Sequence, residues 1–288
     1  MLIHVVRPGE TVYAIARNYG VDPRRLMADN GVPADGALAV GQTLVLRFPN
    51  VVHAVQPGET LSAIARSYGV SVRSLWRNNP ELLGGSLLAP GQVLVITYHE
   101  EKLGTAVANG YAYPFLSPAL LAETAPFLTY LTPFTYGISR DLGLLPLRDG
   151  ELLAGARGHG AGAVMHLSTY TEEERFDVQR AERLLTDAAA QARLLGEIQR
   201  TMAEKGFSGL DVDFEYLPGA LAEAYAAFLS RLRQALRTQG HFLWAALAPK
   251  TRADQPGTLY EGHDYARVGA ATDAVLLMTY EWGYTYQH

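Results

Sequence analysis

The 288-residue chain has no cysteine. That absence removes disulfide staples, thiolate nucleophiles and cysteine-built zinc sites together, and leaves the redox compartment open. Basic excess is missing as well. Lys and Arg number 24 against 29 Asp and Glu, giving a net charge of −5 and a pI near 5.9, which argues against a nucleic-acid partner. No apolar run approaches the roughly 20 residues that span a bilayer, so membrane insertion is not expected. Met1 to Pro8 lacks a charged segment leading into a long apolar one, so no conventional signal peptide is expected. The eight histidines include no H-x-x-x-H pair, which leaves a histidine-built metal site without support. What remains is an ordinary globular composition, 48% hydrophobic and 18% charged, long enough for two or three compact units.

The first third of the chain repeats itself. Residues 4–21 (HVVRPGETVYAIARNYGV) align with 53–70 (HAVQPGETLSAIARSYGV) at an offset of 49, with 13 of 18 positions identical. The match continues through Arg24/Arg73, Leu26/Leu75 and Asn30/Asn79, and each copy closes on a Gly-Gln turn, at Gly41-Gln42 and Gly91-Gln92. One copy reads as β-α-α-β. A strand enters, Pro8-Gly9 turns the chain, and Thr11 caps a helix that carries Val12, Ile15, Ala16 and Tyr19 on one stripe. Gly20 ends that helix, and Asp22 (Ser71 in the second copy) caps the next. Phe48 to Val51 reads as the linker between copies.

The string P-G-E-T-x-x-x-I-A-x-x-Y-G-V with its closing G-Q-x-L resembles the LysM module, in two copies over residues 2–47 and 52–97. The resemblance implies binding of N-acetylglucosamine-containing glycans, peptidoglycan or chitin, in a shallow groove between two loops. Those loops here hold Gly9, Glu10 and Thr11 with Asn30, and Gly58, Glu59 and Thr60 with Asn79. The alternative is that the glycines serve only the turn and the threonines only the cap. Two weak sites in tandem gain from effective concentration on a polymeric wall.

From residue 103 to 288 the pattern changes to short apolar strands alternating with helical stretches, the signature of βα units on a parallel sheet. The strand candidates are 105–108, 128–134, 163–168, 209–216, 242–247 and 274–280, and Thr171 with Glu174 forms a capping box for a helix after the third. The fold expected is therefore two small α+β modules plus an α/β barrel-type domain with about six of eight βα units. Only 186 residues follow residue 102, against the roughly 250 typical of a closed (β/α)₈ barrel, so the barrel is expected to be truncated after strand six.

The chemistry concentrates in Gly209-Leu210-Asp211-Val212-Asp213-Phe214-Glu215-Tyr216. Alternate residues of a strand share a face, so Asp211, Asp213 and Glu215 point one way, about 6.6 Å apart, while Leu210, Val212 and Phe214 point the other. Carboxylates that close raise the pKa of at least one, as an acid catalyst requires. The bland alternative is a solvated acidic face on an edge strand; a Mg²⁺ or Ca²⁺ site is another. Gly158 to Gly162 is glycine-rich, but no Gly-Lys-Ser/Thr follows, so it reads as a loop and not a phosphate cradle. His166, in an apolar strand, reads as a satisfied core histidine.

This stretch resembles the D-x-x-D-x-D-x-E strand of glycoside hydrolase family 18, with Ser208 where the leading Asp falls. Met278-Thr279-Tyr280-Glu281 is similar to that family's M-x-Y-D, with Glu for Asp. With Trp282 and Tyr284 it resembles the branch of spore-cortex N-acetylglucosaminidases in which LysM pairs precede the barrel. The resemblance implies a retaining, substrate-assisted glycosidase acting on peptidoglycan or another N-acetylglucosamine polymer, without metal or organic cofactor. Glu215 would be the acid, its pKa raised by Asp213 and burial. Asp213 would orient the substrate N-acetyl group, Asp211 share a proton with Asp213, and Tyr280 hydrogen-bond the acetyl carbonyl. Tyr111, Tyr136, Glu281 and Trp282 are the expected substrate contacts; Trp244 shares the choice between stacking on sugar and packing in the core. A chitinase, or a wall-associated glycan-binding protein with an inactive barrel, are the alternatives.

Overall fold

The structure, a computed structural model, describes residues 1–82, 84–99, 104–171 and 175–280. They divide into two compact units, one of residues 1–108, 117–128 and 158–160, the other of 109–116, 129–157 and 161–288.

The first unit is built by local rules applied twice. Strand β1 (Leu2–Val5) leads through a turn into α1 (Val12–Tyr19), α2 (Pro23–Asn30) and β2 (Thr43–Leu46), which pairs antiparallel with β1. The second copy is β3 (Pro49–Ala54), α3 (Leu61–Ser67), α4 (Val72–Asn78) and β4 (Val93–Tyr98). Thr11 and Thr60 cap α1 and α3 by accepting from the amides of Ala14 and Ala63, and Asp22 and Ser71 cap α2 and α4. Gly20 takes the left-handed conformation, φ 69°, that ends α1. The apolar stripes close two small cores, Val12, Ile15, Leu26, Leu44 and Leu46 in the first and Leu61, Ile64, Leu75, Leu94 and Ile96 in the second. The expected linker is mostly strand: Pro49 to Val51 open β3, with register shifts that accommodate them.

The two copies are clasped by residues that they do not share. The Arg25 guanidinium on α2 donates to both Glu81 carboxylate oxygens (2.9 and 3.0 Å), to the Asn78 carbonyl (3.0 Å) and to Asn79 Oδ1 (3.1 Å). Tyr98 OH donates toward Asp29 at 3.3–3.4 Å while Arg47 lies over its ring, 3.6 Å from the centroid. Burial raises the Asp29 pKa against the pull of Arg25 and Arg47, and burial with the Asp29 charge pushes Tyr98 up to about 12.

Strand β5 (Asn109–Ala112) opens the parallel sheet and is followed by α5 (Pro118–Thr124). Next come β6 (Tyr130–Pro133), α6 (Gly150–Gly158) and β7 (Gly162–Ser168). A hairpin of β8 (Tyr170–Thr171) and β9 (Arg175–Phe176) interrupts the alternation before α7 (Val178–Thr186), α8 (Ala188–Lys205) and β10 (Gly209–Asp213). Helix α9 (Ala222–Arg237), β11 (Phe242–Leu247), α10 (Tyr265–Ala271) and β12 (Ala274–Leu277) complete the described elements. The sheet order is β12-β11-β10-β7-β6-β5 and every pairing is parallel. This is a six-stranded half-barrel, the incomplete barrel that the strand count predicts.

Three expectations need correction. The first strand is Asn109–Ala112, not 105–108: those four residues are exposed, and the β-branched look of Thr105 and Val107 had no sheet to join. The helix after the third strand starts at Val178 under an Asp177 cap that accepts from Arg180 N at 3.0 Å. Thr171 belongs to β8, and Glu174 falls outside the described residues, so the capping box is not the start signal. The acidic strand ends at Asp213, so Glu215 follows it instead of lying within it.

Behind the sheet, Leu210, Val212 and Phe214 pack with Leu194, Ile198 and Met202 of α8 and Tyr225, Phe228 and Leu229 of α9. Gly209 has no freedom to be anything larger: a Cβ there would lie 2.3 Å from the Phe242 ring.

Candidate active site

Strand β10 is third from one end of the sheet, between β7 and β11, so the solvated edge alternative for its acids does not hold. All five of its residues are buried. The alternation that sends Leu210 and Val212 to the helices sends Asp211 and Asp213 to the inner face. Register does the rest: Asp211 pairs with His166 on β7 and Trp244 on β11, and Asp213 pairs with Ser168.

Asp211 is fully buried, and its Oδ2 accepts from the Tyr111 hydroxyl, delivered by β5. Burial drives the Asp211 pKa up, His166 and the Tyr111 hydrogen bond oppose it, and the Asp213 charge adds to the rise. Burial also lifts the Tyr111 phenol far above its ordinary range, with Asp211, Asp213 and Tyr280 adding to it, so Tyr111 remains a neutral donor. His166 Nε2 stands 3.9 Å from Asp211 Oδ2 and 3.6 Å from Asp213 Oδ2. Its Nδ1 meets Thr135 Oγ1 at 2.6 Å. Burial alone would lower the His166 pKa; the pull of Asp213, Asp211 and Glu215 outweighs it and the net shift is upward. One oxygen of each acid, Asp211 Oδ1 and Asp213 Oδ1, is buried with no hydrogen-bond partner among the described residues.

Glu215 lies two residues past the strand and is half-buried. Its position is fixed on both sides. His263 Nε2 donates to the Phe214 carbonyl at 2.9 Å while its Nδ1 accepts from Ala248 N at 3.1 Å, a neutral tautomer that burial favours by lowering the pKa. Tyr216 then takes a left-handed backbone, φ 57°, and turns the chain away.

The expected substrate contacts separate. Tyr111 is at the acids, with 39% of its surface exposed. Tyr280 follows β12 and is exposed, close enough to Tyr111 to raise its pKa. Tyr136 is corrected: it is 1% exposed, its ring in the core and its hydroxyl between Asp149 Oδ2 (2.6 Å) and Lys205 Nζ (2.8 Å). Glu281 and Trp282 lie outside the described residues. Trp244 packs edge-on against Tyr130 and stacks with Phe242. Sequence reasoning missed His166, although His166 and Ser168 at alternate positions of an otherwise apolar strand are a polar inner face. It also missed a chain of rings at the strand ends. Phe115 stacks on Tyr113 (5.1 Å), and Phe134, Tyr170, Phe176 and Tyr216 continue the line at 5.2 to 5.8 Å.

In the repeats, Asn30 and Asn79, expected at the grooves, are bonded within their own modules. Asn79 is fully buried, donating to Leu75 O (2.8 Å) and Val95 O (2.9 Å) and accepting from Val95 N (2.8 Å). Asn30 makes the same three bonds to Leu26 and Val45. Glu10 and Glu59 each accept from a backbone amide at 2.7–2.8 Å and from His4 or His53 at 2.6–2.8 Å, bonds that hold both carboxyls below their ordinary pKa. Gly9 and Gly58, at φ 82° and 83°, sit in the turns, and the hydroxyls of Thr11 and Thr60 serve their caps. Among the described residues no cluster of three or more His, Asp or Glu could hold a metal ion, and no helix is long and apolar enough to cross a membrane.

The class defined by this fold and site is a parallel βα barrel portion with buried acids at its strand ends, preceded by two βααβ repeats. The LysM domain family matches residues 4–47 and 53–97, and the glycosyl hydrolases family 18 matches residues 177–287. The cortical fragment-lytic enzyme of Bacillus subtilis (strain 168) is 38% identical over 99% of this chain and 67% of its own length. The crystal structure of the Bacillus cereus spore cortex-lytic enzyme SleL superposes with a TM-score of 0.73 at 31% identity, covering 98% of this chain and 66% of that one. That of the Bacillus megaterium QM B1551 enzyme gives 0.73 at 29%, with the same coverage. The chain carries two LysM domains and belongs to glycosyl hydrolases family 18, and it spans about two thirds of the length of these relatives.

Proposed function

We propose that the chain is a retaining glycosidase that cleaves N-acetylglucosaminyl linkages in peptidoglycan, that of the spore cortex in particular, using the substrate's own N-acetyl group as nucleophile. The observation that carries this reading is the Asp211–Asp213 pair, buried at the inner face of a central strand with an unpartnered oxygen on each, and Glu215 half-open two residues beyond. Relatives whose names refer to cortical fragments and the spore cortex support the choice of polymer.

Glu215 delivers a proton to the glycosidic oxygen as the bond to the anomeric carbon breaks, and the acetyl oxygen closes on that carbon to give an oxazolinium. Asp213 Oδ1 accepts the acetamido N–H and faces the positive charge that develops. Asp211, its pKa raised chiefly by burial, holds the proton shared with Asp213. Tyr280 hydrogen-bonds the acetyl carbonyl from the mouth. Water then attacks from the vacated face, Glu215 takes its proton, and configuration is retained. The exposed stack of Tyr113 and Phe115 supports a polymeric substrate, since sugar faces pack on rings. The LysM pair would hold the protein on the wall, and spore or cell-wall association follows.

The test is Glu215→Gln, with reducing ends measured on purified cortex fragments and on chitin oligomers. A loss of at least about 100-fold in turnover, with sedimentation on the wall unchanged, is expected of a removed general acid. Turnover retained in that variant sinks the mechanism. Wild-type protein that sediments but releases no reducing ends would be a glycan binder, and release from chitin alone would make it a chitinase.

A further inference from the structure

We propose that His166 is the positioning cation of this site: Thr135 fixes one ring nitrogen, and the other presents an N–H to Asp211 and Asp213 together, holding both carboxyls where the acetamido group must dock. The proposal rests on the glycosidase reading for its kinetic consequences but not for its ionisation.

The geometry sets His166 against two acids, not in a wholly apolar core. His166 is 1% exposed, and its Nε2 faces one oxygen of each acid, at 3.9 and 3.6 Å. A neutral ring carrying its proton on Nδ1 would turn the Nε2 lone pair on two carboxylate oxygens, a repulsive contact in a dry site. A proton on Nε2 points an N–H between the acids, while the Thr135 hydroxyl donates to a neutral Nδ1 or accepts from a protonated one at 2.6 Å; the two carboxyls within 4 Å of Nε2 favour the ring protonated on both nitrogens. The groups that face it from each neighbouring element agree. Strand β5 contributes the Tyr111 ring, edge-on at 5.5 Å, and the residues after β6 contribute Phe134, at 4.8 Å, and Thr135. Strand β10 and its extension contribute Asp211, Asp213 and Glu215, all of which raise its pKa. Two buried carboxyls side by side demand a compensating charge, and His166 is the cation that opposes the rise of Asp211. His166 does not touch the reacting atoms in this arrangement; it acts through the acids.

Two readouts test this on the full chain. First, in protein with ¹³C-labelled histidine, the His166 signal, assigned by its loss in His166→Gln, should remain that of an imidazolium at pH values where exposed histidines have become neutral. Asp213→Asn should return it toward ordinary titration. A His166 that is neutral at pH 6, or that titrates with the exposed histidines, overturns the proposal whether or not the protein hydrolyses anything. Second, His166→Gln keeps a donor without the charge. Its kcat on cortex fragments should fall about 100-fold, the loss that a misplaced group produces, with KM changed less than about twofold. The alkaline limb of the wild-type kcat profile should move in that variant. An unchanged limb, or a loss confined to KM, overturns it. His166→Leu, checked for folding by circular dichroism, should lose more activity than His166→Gln; equal losses in two folded variants also overturn it. Wild-type protein without activity would defeat the glycosidase reading alone, and the imidazole titration would still decide His166.

Discussion

Asn79→Ala separates two jobs that one side chain cannot share. In the structure Asn79 has no exposed surface and satisfies the amide and carbonyl of Val95 in β4 and the carbonyl of Leu75 in α4, while accepting from Arg25. Truncation removes these bonds and leaves three backbone groups without partners in a place that water does not reach. A net loss of roughly 1 kcal/mol per bond, with more for a stranded donor, gives about 3 kcal/mol. That is a factor of about 100 in the local folding equilibrium, for a module of about 45 residues with no staple to fall back on. Hydrogen exchange read by mass spectrometry on peptides from 93–98 should lose most of its protection, and exchange in β5 to β12 should not change. Asn30→Ala should do the same to 43–46, since the bonds to Leu26 and Val45 match. If Asn79→Ala abolished glycan binding while β4 amides kept their protection, the side chain would be a groove residue and the reasoning here would be wrong.

Tyr136→Phe removes a hydroxyl placed between Asp149 and Lys205, which remain paired to each other at 2.5 Å. A loss of about 1–3 kcal/mol in stability to urea, with kcat and KM unchanged, is expected; lost turnover in a folded variant would return Tyr136 to the site. The pH dependence of stability runs in opposite directions at the His166–Asp211 site and at the repeat turns. The raised pKa of His166 makes its contribution full below the ordinary value of 6.5 and lost as pH rises through the folded value, and the raised Asp211 acts in the same sense from 3.8 upward. Glu10 and Glu59, both depressed, contribute above 4.5 and lose that contribution as pH falls through their folded values. Exchange protection should therefore decline first in β7 and β10 on raising the pH, and first at the repeat turns on lowering it; the reverse order would refute the assignment.

The repeats were legible because their determinants are local. Thr11, Gly20, Asp22 and Ser71 cap or end helices by rules that need only a few neighbouring residues. The parallel sheet was legible from its apolar runs, and the inward face of Asp211 and Asp213 from alternation alone. What needed three dimensions was pairing. Tyr111 and Tyr136 look alike in sequence, each an aromatic at the end of a β run. One meets Asp211 and the other Asp149 and Lys205, partners 100 and up to 69 residues away. His166 was read as core because its strand is apolar, and its function as a neighbour of the acids came only with the β7–β10 register. The hairpin of β8 and β9, two residues each, is too short to carry a period, yet it places Tyr170 and Phe176 in the line of rings.

The clasp between the repeats gives the array a direction and an end. Its charged groups, Arg25, Asp29 and Arg47 of the first copy, correspond in the second to Ser74, Asn78 and Thr97. The second copy thus meets its neighbour through Glu81 and Tyr98 but lacks those three charges for a third. A head-to-tail contact of this kind would propagate indefinitely between identical units. Divergence at three positions removes this clasp from the second copy, so a third module grafted after it would dock in the same way only with Ser74→Arg, Asn78→Asp and Thr97→Arg.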